Sequence, residues 1–152
     1  MTGGKLETIL RDSIIALLTE DQASTSPHIV PALTGGVYFQ GMRPMQNEPG
    51  IANKEDAVVA VINGNEKQFQ SGSCVVNIYV PDTKTASGAY MRTKGRTDQI
   101  EEWAVKVPKL LSRRGDILFE KSGMVITIKE EGINEHFVSL KMDFTLLNEN
   151  FD

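Results

Sequence analysis

The stretch from Ser73 to Leu111 constrains the fold more than any other part of the chain. Val75-Val76-Asn77-Ile78-Tyr79-Val80 is β-branched or aromatic nearly throughout, the composition of an interior strand with both faces at least partly covered. Pro81-Asp82 ends it. From Ile100 onward the apolar residues Ile100, Trp103, Ala104, Val107, Leu110 and Leu111 recur at intervals of three and four, which places one stripe along a helix. That stripe needs a sheet to lie on, and the strand just before it is the natural partner. Pro108 falls inside the stripe without a backbone donor, so the helix is expected to kink or stop near Val107. Ser112-Arg113-Arg114-Gly115 supplies a stop signal.

The other elements fall into place around this pair. Leu6, Ile9, Leu10, Ile14, Leu17 and Leu18 form a second amphipathic stripe and predict a helix from about Leu6 to Thr19. The period is lost from Asp21 to Pro31, which reads as an exposed, mobile connection with His28 solvated in it. Gly35-Gly36-Val37-Tyr38-Phe39 is a short strand candidate, and the stretch through Gln46-Asn47-Glu48-Pro49-Gly50 reads as irregular. Asp56 opens a second apolar strand, Ala57–Ile62, with a turn expected at Asn63-Gly64-Asn65 and an antiparallel return into Val75–Val80. Asn77, the polar residue of that return strand, is expected to be hydrogen-bonded in the sheet or at an edge. Asp116–Phe119 is a further short strand or an edge. Met124–Lys129 and Val138–Leu146 alternate across the turn Glu131–Asn134 as a hairpin with one wet face.

With 152 residues, 40% hydrophobic and 24% charged, the chain reads as a single domain over 1–152 that can bury its own core. The expected architecture is α+β, a two-layer sandwich in which a mainly antiparallel sheet of four to five strands carries two helices on one face. The lone Cys74 sits at the start of an apolar strand, where a thiol behaves as a small hydrophobe. A net charge of -4 argues against a surface built for nucleic-acid phosphates or sequence-specific binding. The start Met1-Thr2-Gly3-Gly4-Lys5-Leu6-Glu7 lacks signal-peptide order, and no apolar run reaches membrane-span length, so a cytoplasmic, reducing compartment is the default expectation.

No chemical motif stands out. There is no Gly-x-Gly-x-x-Gly, phosphate loop or Gly-x-Ser-x-Gly, and no cofactor or metal ligand set is expected, because His28 and His136 lie on separate segments. Glu101-Glu102 and Glu130-Glu131 are neighbours in sequence and do not converge on one point. An enzyme is not signalled. The segment of greater interest is Pro81 to Gln99, long for a strand-to-helix connection. Lys84, Arg92, Lys94 and Arg96 outnumber Asp82 and Asp98 in it, and Tyr90-Met91 provides an apolar pair. It reads either as a solvated hairpin-like flap or as a contact to a subunit or partner through Lys84, Tyr90, Met91, Arg92, Lys94 and Arg96. Asp98 with Glu101, or Thr97, is expected to cap the helix that follows.

Gly36-Val37-Tyr38, Arg43-Pro44, Glu55-Asp56-Ala57-Val58-Val59, Gln70-Ser71-Gly72, Val76–Pro81 and His136-Phe137-Val138, in this order, resemble small proteins of the tail and neck gene blocks of long-tailed bacteriophages and prophages. The order of elements is similar to that of the tail terminator (tail completion) family. The resemblance implies a non-enzymatic virion protein, a homo-oligomeric and usually hexameric ring that caps the tail tube and joins it to the head-completion or connector protein. Such a protein passes through the host cytoplasm during assembly and ends in the virion. The loop from Pro81 to Gln99 is longer than such proteins commonly have. A head-side neck or head-completion protein and a host-cytoplasm adaptor remain as alternative readings.

Overall fold

The computed structural model describes residues 1–44, 53–65 and 70–147. Helix α1 spans Gly3–Ala23, and helix α2 spans Lys94–Ser112. The strands are β1 (Val37–Phe39), β2 (Ala57–Asn65), β3 (Ser71–Pro81), β4 (Thr83–Lys84), β5 (Tyr90–Met91), β6 (Ile117–Lys121), β7 (Ile126–Lys129) and β8 (Glu135–Leu146). Six of them form one open sheet in the order β1-β2-β3-β8-β6, with β7 also paired to β8, while β4 and β5 make a separate two-stranded ribbon. Both helices pack on the sheet, α1 against β1 and β2 and α2 against β3, β6, β7 and β8, so the fold is α+β with a mostly antiparallel sheet. The sheet has one strand more than the four to five expected, and β1 joins β2 in parallel, Val37 opposite Ala57.

The alternation of side chains along a strand sorts the residues into two faces. Cys74, Val76, Ile78 and Val80 of β3 face the helices together with Met142, Leu140 and Val138 of β8 and with Ala57 and Val59 of β2. Trp103, Ile100 and Val107 of α2 and Leu10, Ile14 and Leu17 of α1 close the core over them. Burial pushes the Cys74 thiol up to about 12, with the Asp143 carboxylate adding to the effect, so the thiol stays protonated in the core. The opposite face, with Val58, Val75, Asn77, Tyr79 and Phe137, has neither α1 nor α2 on it. Asn77 departs from expectation there: its Oδ1 is buried and has no hydrogen-bond partner among the described residues.

β8 is the longest strand and takes two short ones on its free edge. Ile117 to Lys121 pair with Leu146 to Met142, and Ile126 to Lys129 pair with Ser139 to His136. β6 and β7 are thus two halves of one interrupted edge strand, joined at residues 122–125. The expected hairpin between β7 and β8 is present, and Asp116–Phe119 lies on the edge.

Several boundaries differ from the sequence reading, each for a local reason. Thr2 caps α1 by accepting from the Lys5 amide at 3.1 Å, which moves its start to Gly3. At the other end α1 runs past Thr19 because Asp21 turns inward and is buried. β2 continues through Asn63-Gly64-Asn65, where a turn was expected, because a bulge at Ile62 resets the register so that Asn63 to Asn65 pair with Ser73 to Ser71. The connection between β2 and β3, and the stretch Gln46–Gly50, lie outside the described residues. α2 begins at Lys94, well before Asp98, so the expected loop from Pro81 to Gln99 shrinks to residues 82–93 and holds the β4–β5 ribbon. Thr93, not Asp98 or Thr97, occupies the cap position. α2 also continues through Pro108 to Ser112; the proline ring is buried with the core stripe, and the Ser112 hydroxyl bonds the Pro108 carbonyl at 2.8 Å.

The segment after α1 is anchored, not solvated. Asp21 accepts the His28 amide at 2.9 Å and the Ile29 amide at 3.2 Å, and its Oδ1 lies 3.1 Å from His28 Nδ1. The far ring nitrogen of His28 meets Lys106 Nζ on α2 at 2.7 Å, which ties the segment to both helices. Burial works to raise the Asp21 pKa, but the two amides and the imidazole outweigh it, and the carboxyl titrates below its ordinary value. A depressed carboxyl contributes stability above its unfolded value, about pH 3.9, and loses it as the pH falls through the folded value. Asp21→Asn is therefore expected to be less stable than the parent at pH 7, with the gap closing below about pH 4. Urea melts of the two proteins across that range measure it.

Candidate functional site

One end of the sheet is built from ions. Glu55 and Asp56 precede β2 and, as consecutive residues of extended chain, point to opposite faces. Glu55 turns toward the helices and receives Arg96 of α2 in a two-pronged bond at 2.6 and 2.8 Å. Arg96 also reaches the Ala32 carbonyl at 3.3 Å. Asp56 turns to the other face, where it accepts the Gly36 amide at 3.1 Å and Arg43 Nε at 2.9 Å. The remaining nitrogens of Arg43 clasp Glu135 of β8 at 2.7 and 3.0 Å. The guanidinium lies 4.4 Å from the centre of the Tyr79 ring, which in turn sits 5.1 Å from Phe137.

Asp56 and Glu135 are both buried, so Arg43 is the cation shared by two carboxylates that have left water, and its single charge offsets one of their two. Burial favours its neutral form, but the bonds from Glu135 and Asp56 outweigh that and raise its pKa. Tyr79 is likewise raised, by burial first and then by Glu130 and Glu135, against the opposing charge of Arg43. Gly35 is required by this packing. A Cβ there would lie 1.8 Å from Asp56 Oδ1 and 2.5 Å from the Glu55 carbonyl oxygen.

The β4–β5 ribbon projects from this ionic end. Its root is held by side chains: Thr93 Oγ1 donates to the Pro81 carbonyl at 2.9 Å, which leaves the Thr83 hydroxyl, 2.6 Å away, to donate to Thr93. Asp82 accepts from His136 at 2.6 Å, and its amide bonds the Asn134 carbonyl at 3.0 Å. At the tip the Thr85 amide bonds the Ala89 carbonyl at 2.7 Å, and Gly88 adopts φ +88°, a conformation that favours glycine.

The ribbon brings four of the six expected contact residues together. Thr83 pairs with Met91 and Lys84 with Tyr90, and Arg92 follows directly. Tyr90 is 36% and Met91 61% exposed, large for apolar side chains, and Lys84 and Arg92 are exposed without a carboxylate partner among the described residues. Lys94 stands beside them on the first turn of α2 and pairs with Asp98 at 2.6 Å. Arg96 is instead committed to Glu55, with about 10% of its side chain exposed. The sequence reading missed Arg43, Glu55, Asp56 and Glu135 as a unit. The visible signal was a carboxylate pair next to an apolar strand, but nothing local in sequence tells which arginines it meets.

A recess of about 490 Å³ between α1 and residues 29–37 is lined by apolar side chains such as Ile15, Leu18 and Leu33, with Thr19 and Gln22 as its polar ones. Gln22 is committed to Asp21 and the Ile29 carbonyl. Among the described residues no three His, Cys, Asp or Glu side chains form a group that could hold a metal ion, and no helix is long and apolar enough to cross a membrane.

Removing Arg43 leaves Asp56 and Glu135 buried with uncompensated charge. Arg43→Ala is expected to cost about 3–5 kcal/mol in a urea melt, against less than about 1 kcal/mol for Lys94→Ala, whose pair with Asp98 is exposed.

No protein-family model matches the chain, and no curated protein matches its sequence.

Proposed function

We propose that the chain is a non-enzymatic virion protein of the tail-terminator kind, whose copies form a ring that caps the tail tube and meets the head connector. The observation that supports this reading is a convergence. Arg43, Glu55-Asp56, Tyr79–Pro81 and His136, residues that carry the resemblance and lie far apart in sequence, gather around the root of one projecting ribbon. A ring needs heterologous contacts, one surface meeting a different surface on the next copy. A ribbon whose base is closed by Thr93 on Pro81 and His136 on Asp82, and that ends in exposed Tyr90, Met91, Lys84 and Arg92, is a preorganised arm for such a contact, since the base has less conformational freedom to lose on docking.

The test adds the purified chain to preassembled tubes of the tail-tube protein encoded with it and images the ends by electron microscopy. Rings at one end of each tube are expected. The double variant Tyr90→Ala, Met91→Asp should leave the ends bare while its melting temperature stays within about 2 °C of the parent, because both side chains are exposed. Bare ends with the parent chain would contradict the proposal and favour a head-side neck protein or an adaptor.

A further inference from the structure

A groove of about 540 Å³ runs between α2 and the junction that joins β6 to β7. Its apolar lining includes Val105, 51% exposed, and Met124, 81% exposed. Asp98, Glu101 and Glu102 form its charged wall, and Lys121 is the cation that lines it. Asp98 is held by Lys94, and Glu101 accepts the Thr127 hydroxyl. Glu102 is exposed and has no partner among the described residues. Spaced at four and three along α2, Asp98, Glu102 and Val105 lie on one ridge, acidic toward the start of the helix and apolar beyond.

The ribbon has the complementary chemistry. Residues 83–93 contain two cations, Lys84 and Arg92, no carboxylate, and the exposed apolar pair Tyr90-Met91. The chain does not satisfy its own groove, since Met91 and Met124 both remain largely exposed. The recess beside α1 is a poorer seat, because no charged side chain lines it to meet Lys84 and Arg92.

We propose that the groove between α2 and the β6–β7 junction receives the β4–β5 ribbon of a second copy of this chain through the ribbon face that carries Lys84, Tyr90 and Arg92, Tyr90 against Val105 and Met124, Lys84 and Arg92 facing Glu101 and Glu102. This assigns the receiving surface of the ring and rests on the reading of the ribbon given above. The two patches differ, so the contact propagates head to tail and closes into a ring when the rotation between copies allows it. Charge at the rim sets the register of docking, and the apolar centre holds it.

Disulfide trapping between full-length copies tests the assignment. Cys74 is buried and unreactive, so the native thiol stays silent. Tyr90→Cys protein mixed with Val105→Cys protein under mild oxidation should give a mixed disulfide dimer at least about tenfold above that from Tyr90→Cys with Ile15→Cys, which probes the recess beside α1. Adding Arg92→Glu to the first partner should lower the yield, and adding Glu102→Arg to the second should restore it. Equal yields for the two mixtures, or a preference for Ile15→Cys, would overturn the groove. The outcomes separate from those of the proposed function. Rings on tube ends without the Tyr90–Val105 cross-link would overturn the groove alone, whereas the cross-link with bare tube ends would support the groove and count against the tail-tube role.

Discussion

Glu55 and Asp56 are adjacent, and the strand geometry sends them to opposite sides of the sheet; what each one binds organises that whole end of the molecule. Glu55 holds the first turn of α2 through Arg96, and Asp56 holds Arg43, which bridges to Glu135 on the far central strand. A single arginine between two buried carboxylates is weak evidence for added stability, because desolvation offsets much of the attraction. Its value lies in specificity. With Gly35 leaving no room for a side chain and Tyr79 stacked under the guanidinium, this arrangement gives Asp56 and Glu135 one shared cation.

The ribbon springs from that same end. The ribbon leaves β3 at Pro81, beside the Tyr79–Arg43 stack, and returns to α2 two residues before Arg96 becomes pinned to Glu55. His136 on Asp82 and Thr93 on Pro81 close the base. The result is a small element with almost no apolar support of its own that is nevertheless held in register. Interaction surfaces on rigid roots dock with less loss of entropy than free loops of the same composition. The face of the sheet away from the two helices, with Leu118 and Ile126 exposed, is a second region in which apolar side chains remain in water among the described residues.

The sequence made the layers legible because hydrophobic periodicity reports burial directly. Both helices, the apolar strands, the β7–β8 hairpin and the α+β class follow from the spacing of residues such as Trp103, Val107, Val138 and Leu140. Boundaries were less legible where polar residues do core work: Asp21 extends α1, Arg96 and Thr97 extend α2 backward, and the bulge at Ile62 carries β2 through a turn-like Asn-Gly-Asn. The parallel β1–β2 pair was hidden by its three-residue length. On the ribbon, the exposure of Lys84, Tyr90, Met91 and Arg92 was legible from composition alone, because a polar loop needs no partner to be recognised. Arg43, Asp56 and Glu135 could not be joined, because a charge in sequence does not announce whether it is solvated or paired with a residue on another strand.

The account stands on the claim that the ionic end, through Arg96 on Glu55, adds to the Thr93 and Asp82 bonds that hold the base of the ribbon. Amide hydrogen exchange in the Arg96→Ala variant tests it most directly. The account predicts that amides of residues 83–98 exchange at least about tenfold faster than in the parent, while those of the central strands, 74–80 and 138–144, keep their protection. Unchanged exchange across 83–98, or a uniform acceleration that reaches the central strands equally, would contradict it.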